Sequence, residues 1–165
     1  MRYGQIRQYD IANGPGIRTS IFVTGCSINC KNCFNKDYQD PNFGTLWTNQ
    51  TSDTIIEYLS KNEVAGLTIL GGEPFDNTDD LIKVVGYVKN KIDKPIWIYS
   101  GYTFETLVTD EKNRSLLEIV DVLVDGPFIE AKKDLSLKFR GSSNQRIIDV
   151  PSSLSQGKTQ TLIGY

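Results

Sequence analysis

The sequence predicts an α/β fold in a single domain, residues 1–165, built on a mostly parallel sheet that is open or curled into part of a barrel. A hairpin-like extension is expected at the C-terminal end. Three observations lead there. Four short apolar runs, rich in β-branched and aromatic residues, read as buried strands. Glycines follow them: Gly25, Gly71-Gly72, Gly101 and Gly126. Helical patterns lie between the runs, and strand–helix alternation implies right-handed βαβ units.

In chain order the strands fall at 19–24 (TSIFVT), 67–70 (LTIL), 96–99 (IWIY) and 121–124 (DVLV). Between the first two, Ile55, Ile56 and Leu59 fit a helix opening near Thr51 or Ser52. Leu81, Val85, Val88 and Ile92 recur at i, i+4, i+7 and i+11, the stripe of a core-facing helix. Asn77 or Thr78 is expected to cap it, with Asp79 and Asp80 in its first turn. Thr103 is expected to cap a helix running through Leu107, and 116–120 to form another. Leu135, Leu137 and Phe139 then alternate before a Gly141-Ser-Ser-Asn144 turn and the segment 146–150, which predicts a hairpin or a strand plus a loop. The polar tail 151–165 is expected to be loosely held. Trp47 and Trp97 are assigned to packing.

Composition narrows the function classes. Net charge is −2, which makes no electrostatic case for nucleic acid or an anionic membrane surface. The apolar runs fall far short of the roughly 20 residues of a membrane-spanning helix. The N-terminus lacks an apolar signal region, and three cysteines cannot pair off fully, so a reducing cytoplasm is expected. The chain has no histidine. Ser-His-Asp and Cys-His catalysis and the Cys3His and Cys2His2 zinc sites are therefore excluded.

All three cysteines sit within eight residues, as Cys26-x3-Cys30-x2-Cys33, directly after the first strand. Thiolates from one loop can reach three corners of an iron–sulfur cube, leaving one iron without a protein ligand. That iron is open to the amino and carboxylate groups of a small molecule. Ferredoxin runs differ in spacing and recruit a fourth cysteine. A structural zinc knuckle would need Asp or Glu as its fourth ligand, an unusual choice. In α/β sheets ligands gather at the carboxyl ends of strands. Gly71-Gly72-Glu73-Pro74, Ser100-Gly101-Tyr102 and Asp125-Gly126-Pro127 follow the second, third and fourth strands, so these motifs share one rim with the cysteines.

The cysteine spacing with GGEP after the second strand resembles the radical S-adenosylmethionine (radical SAM) superfamily. Asn13-Gly-Pro-Gly-Ile-Arg-Thr19, Gly25-Cys26, Cys33-Phe34-Asn35, SGY, Val124-Asp125-Gly-Pro-Phe128 and Phe139-Arg-Gly-Ser-Ser-Asn-Gln-Arg146 extend that likeness over residues 13 to about 148. Together they resemble the activating proteins of the anaerobic, class III ribonucleoside-triphosphate reductases. The resemblance implies a partial (β/α) barrel of radical SAM type. It implies one 4Fe–4S cluster and S-adenosylmethionine (SAM), cleaved reductively to methionine and a 5′-deoxyadenosyl radical that makes a glycyl radical on the reductase. The implied partners are the large reductase subunit and an electron donor such as flavodoxin or ferredoxin.

Residue by residue, the resemblance makes Cys26, Cys30 and Cys33 the iron ligands. It places Asn32, Cys33 and Phe34 along the adenine and Gly71 and Gly72 against the methionine moiety. Glu73 accepts from the SAM amino group or holds the loop, and Ser100 and Gly101 meet the ribose or adenine. Much of the superfamily carries an aromatic residue before the third cysteine; Asn32 stands there here, and Phe34 is expected to substitute in part. Asn13-Gly-Pro-Gly16 is most simply a loop, and Asp125 is a turn residue or a site residue. Arg140 and Arg146 flank a solvated turn, or meet the SAM carboxylate or the reductase. Two other readings stand beside the activase: another small radical SAM enzyme, such as a different glycyl-radical activase or a deazapurine-type synthase, and a non-catalytic iron–sulfur electron carrier.

Overall fold

A computed structural model describes residues 1–33 and 35–165. Among these residues seven strands form a single sheet: β1 (Arg2–Asp10), β2 (Ile17–Val23), β3 (Thr45–Leu46), β4 (Val64–Gly71), β5 (Ile96–Tyr99), β6 (Val122–Asp125) and β7 (Arg146–Asp149). Their spatial order is β3-β1-β2-β4-β5-β6-β7. The four central strands are parallel to one another, and they are the four expected from the apolar runs. The flanking pairs are antiparallel, so the sheet is mixed rather than mostly parallel.

β1 is the element that changes the sheet. Its sequence, RYGQIRQYD, is largely polar and most of its residues are only half-buried. A strand of that kind carries no continuous apolar run. It is held by antiparallel pairing to β2, with Ile6 opposite Ile21 and Arg7 opposite Ser20. At the other edge, β7 pairs with β6 and buries Ile147 and Ile148 on opposite faces. The expected hairpin partner, 135–139, forms no strand among the described residues, and only a bridge between Lys133 and Ser142 closes that loop. A strand plus a loop is therefore what forms. Leu135 is 89% exposed, whereas Phe139 packs edge-on against Trp97, so the alternating residues do not share one buried face.

Among the described residues there are five α-helices: α1 (Asn49–Leu59), α2 (Thr78–Lys89), α3 (Phe104–Leu107), α4 (Glu111–Leu117) and α5 (Val150–Gln156). α1 opens on a capping box in which the Thr48 hydroxyl accepts from Thr51 N–H. Asn77 holds the N-cap position of α2, but its side chain donates to Thr24 O at 3.0 Å instead of capping. Thr103 caps α3 as expected. α4 starts earlier than the apolar pattern alone suggests, because Asp110 caps it. α5 lies inside the segment expected to be a loose tail. Asp149 caps it, and the chain beyond returns to β7 through Leu162 N–H to Ile147 O.

Period-two alternation sends Ile21, Val23, Leu67, Ile69, Ile96, Ile98 and Leu123 to one face, where they pack with Ile55, Leu81, Val85, Val88, Leu116 and Leu117 from the helices. Trp97, Val124 and Ile147 join Tyr99, Phe139 and Leu162 in a second cluster. Arg18 is 1% exposed. Its guanidinium donates to Thr68 Oγ1, Leu67 O and Pro95 O and lies over Trp97. Burial pulls the Arg18 pKa down to about 10, still charged at neutral pH. Thr68 in turn donates to Asn13 O at 2.8 Å, which ties the loop ahead of β2 to the sheet. Gly14 in that loop has φ +133°, and a Cβ there would meet Arg18 Cδ at 2.6 Å. Among the described residues no helix is long and apolar enough to cross a membrane.

Candidate active site

The cysteine loop begins where β2 ends, and main-chain hydrogen bonds fix its start. Gly25 N–H donates to Tyr38 O at 2.8 Å and Cys26 N–H to Gln39 O at 3.2 Å. The turn after β4 docks onto the same stretch, with Gly72 N–H on Val23 O and Glu73 N–H on Gly25 O, both at 2.8 Å. This explains why glycine is required at 72. A Cβ there would stand 2.3 Å from Gly25 O and 2.7 Å from Tyr38 O, and both are rigid backbone atoms. Gly71 has φ +115°, and its Cβ would meet Val23 O at 2.6 Å. The two glycines let the turn pack against the cysteine loop.

Further along the loop, Asn29 and Asn32 have φ of 49° and 57°, and each immediately precedes a cysteine. Asparagine tolerates this left-handed region better than most residues. Cys33 N–H closes a turn onto Cys30 O. The three thiols are free and half-buried. Burial pushes the Cys26 thiol up, and the carboxylates of Glu73 and Asp76 add to that. Phe34 lies outside the described residues.

One cleft of about 660 Å3 collects the predicted residues: Cys26, Cys30 and Cys33 line it with Gly71-Gly72-Glu73 and Ser100-Gly101. Asn32 lines it too, and its side-chain amide donates to Glu130 Oε2 at 2.7 Å across the mouth of the loop. The volume is in the range of small-molecule sites. The donor set fits an iron–sulfur cluster. Soft thiolates select such clusters. Three thiolates from one loop can each reach a separate corner of a cube.

Glu73 is 1% exposed and bridges two rim loops. Its Oε1 accepts from Phe75 N–H and from the Ser100 hydroxyl, both at 2.9 Å, and its Oε2 accepts from Gly101 N–H at 2.8 Å. Burial pushes its pKa up to about 7, against the pull of these donors. In this structure the Glu73 side chain ties the turns after β4 and β5 together. The Ser100 hydroxyl is likewise engaged, donating to Glu73 and accepting from Tyr102 N–H.

Asp125 and Arg146 do not serve as free charges. Asp125 is 1% exposed, accepts from Phe104 N–H at the start of α3, and pairs with Arg146. Arg146 also forks onto both carboxylate oxygens of Glu105, at 3.0 and 2.7 Å. That pairing holds Glu105 down to about 2 and raises the arginine further. Arg146 thus clamps β7 to β6 and α3. Arg140 lines the cleft and donates to Gln145 O and Tyr165 O; its Nε is buried without a partner among the described residues.

Two contacts beside the cleft escaped the sequence. Asp76 accepts from Ser27 N–H at 2.6 Å and from the Ser27 hydroxyl at 3.0 Å, and the Tyr102 hydroxyl reaches the same Ser27 oxygen at 2.7 Å. The partners lie 49 and 75 positions apart, beyond any local pattern. Their adjacency to GGEP and SG was the one available signal.

Fold and loop together define an iron–sulfur α/β domain, and a family model described as "4Fe-4S single cluster domain" matches residues 12–148. The relatives are more specific. The chain is 39% identical over 152 residues to the anaerobic ribonucleoside-triphosphate reductase-activating protein of Vibrio cholerae, covering 89% of this chain and 97% of that one. It is 38% identical to the protein of the same name from phage T4, covering 89% and 93%, and 39% identical to that of Escherichia coli K12, covering 88% and 96%. The chain belongs to the family of anaerobic ribonucleoside-triphosphate reductase-activating proteins.

Proposed function

We propose that this chain activates an anaerobic ribonucleoside-triphosphate reductase by reductive cleavage of SAM, leaving a glycyl radical on the reductase. The observation that carries this is the meeting of three free thiols with the GGE and SG turns in one cleft. Cys26, Cys30 and Cys33 hold a 4Fe–4S cluster. When bound, the cluster supplies its open iron to SAM and one electron to the sulfonium. The protein's task is to bind, orient and exclude water. The backbone of Gly71 and Gly72 receives the methionine moiety, and Gly101 the ribose or adenine. Asn32, Cys33 and Phe34 flank the adenine, Asn32 through its main chain because its amide is taken by Glu130. Glu73 and Ser100 hold these turns in register.

In this reading residues 1–165 act as one domain, and the sheet is the partial (β/α) barrel of radical SAM proteins. The cleft opens on the side where the large reductase subunit docks. A flavodoxin or ferredoxin delivers the electron, in the cytoplasm. The test is anaerobic reconstitution with iron and sulfide, reduction, and incubation with SAM and the reductase. Electron paramagnetic resonance should then show a glycyl doublet on the reductase. A cluster-loaded, reduced protein that leaves the reductase without a radical would refute the reading.

A further inference from the structure

The loop that carries the cysteines is tied to the rim unevenly. Ser27, the neighbour of Cys26, is held by both its main chain and its side chain. Its N–H donates to Asp76 Oδ2 at 2.6 Å and its hydroxyl lies 3.0 Å from Asp76 Oδ1. An ionised carboxylate only accepts, so the Ser27 hydroxyl donates to Asp76. That leaves the Ser27 oxygen as acceptor for the Tyr102 hydroxyl, 2.7 Å away. A directed chain results, from Tyr102 through Ser27 to Asp76. Both anchors lead back to Glu73: Asp76 N–H donates to Glu73 O, and Tyr102 N–H donates to Ser100 Oγ, itself bonded to Glu73. Among the described residues the later part of the loop has lighter ties. Cys33 is bonded to Cys30 within the loop, and Asn32 reaches the exposed Glu130.

We infer that Asp76 and Tyr102 are positioning residues that clamp Ser27 and thereby pre-order Cys26 for the cluster, leaving the Cys30–Cys33 turn to adapt as the cluster seats. The inference rests on the proposed cluster site. Its physical basis is that groups behind a ligand fix that ligand's orientation and retention, with losses of about 10- to 100-fold on mutation. Asp76 and Ser27 are both exposed, so their bonds contribute little to folding stability. A clamp that adds little to stability but pins a ligand's neighbour acts chiefly on the ligand.

The experiment uses full-length reconstituted protein, wild type against Asp76→Ala, Asp76→Asn and Tyr102→Phe. Iron loss to an excess chelator is followed by the visible absorption of the cluster, and unfolding temperature is measured without iron. Asp76→Ala should lose iron roughly tenfold faster than wild type, with the iron-free unfolding temperature nearly unchanged. Asp76→Asn keeps an acceptor for Ser27 N–H and should recover part of that loss. Tyr102→Phe removes one hydrogen bond and should speed loss about threefold. Wild-type rates in Asp76→Ala would overturn the inference, as would a lowered unfolding temperature with unchanged iron loss. If Asp76→Ala does not fold, wild-type rates in both other variants overturn it. If wild-type protein takes up no cluster, the functional reading fails instead. The clamp is then judged by amide exchange of Ser27 in iron-free protein: protection lost in Tyr102→Phe supports it, and protection unchanged overturns it.

Discussion

Removing the Glu73 carboxylate should loosen the rim from within. The side chain is buried and accepts from Phe75 N–H, Gly101 N–H and the Ser100 hydroxyl. Glu73→Ala strands these donors. Each buried unpaired donor costs about 1–3 kcal/mol. Gly101 borders the cleft, where water can replace the lost partner, so about two donors remain unpaired and the cost is about 3 kcal/mol. For a domain of this size that corresponds to a fall of about 6–12 °C in unfolding temperature. Glu73→Gln keeps the shape and one acceptor oxygen but turns an N–H group toward a donor, so its cost should be about half as large. The two variants also separate charge from shape. Burial holds the Glu73 pKa near 7, above its ordinary 4.5. The folded protein then binds a proton that the unfolded chain has released, so this residue's contribution to stability falls as pH rises from about 4.5 to about 7. Glu73→Gln should flatten that part of the stability profile. The assay is thermal unfolding of iron-free protein under reducing conditions, followed by circular dichroism across pH. An Ala variant that melts with wild type, or a Gln variant as damaged as Ala, would refute the bridging role.

Other expectations follow from the same contacts. Gly72→Ala drives a Cβ to within 2.3 Å of Gly25 O, so the turn must move off the cysteine loop; the variant should lose about 2 kcal/mol or more in urea unfolding and take up less iron. Arg146→Ala leaves Asp125 buried without its cation and should cost about 3–5 kcal/mol, whereas Glu105→Gln, at a mostly exposed residue, should cost far less. Because Glu105 is held down to about 2, its contribution is present above its ordinary 4.5 and is lost as pH falls from about 4.5 to about 2. Glu105→Gln should shrink that acid-side loss in an equilibrium unfolding series. Replacing any one of Cys26, Cys30 or Cys33 by Ala should abolish the iron–sulfide absorption while leaving the far-ultraviolet dichroism of the fold intact.

The parts of the molecule legible in advance are those whose signal is local. β4, β5 and β6 are apolar on both faces, and a run such as IWIY needs no partner to be recognised. The Leu81–Val85–Val88 stripe marks α2 for the same reason. β1 was not legible, because a half-exposed strand is made by its pairing to β2, not by its own composition. Between the hairpin and the strand plus loop that the sequence left open after Leu135, the second forms, because alternation alone does not specify burial. α5 was hidden in polar sequence; its cap, Asp149, and Pro151 in the first turn are helix-start signals that a compositional reading passes over. In the site, the cysteine triplet and the glycine turns stood on one rim as their strand-end positions implied. The roles of Arg146, Asp125 and Asp76 were not legible, since each is decided by a partner distant in sequence.

The most direct test of the central claim is the yield of 5′-deoxyadenosine when reduced, cluster-loaded protein meets SAM. The cleft assembled from Cys26, Cys30, Cys33 and the glycine turns predicts 5′-deoxyadenosine and methionine in equal amounts, and neither from a Cys33→Ala protein. Intact SAM after incubation with fully loaded, reduced protein and its reductase would contradict it.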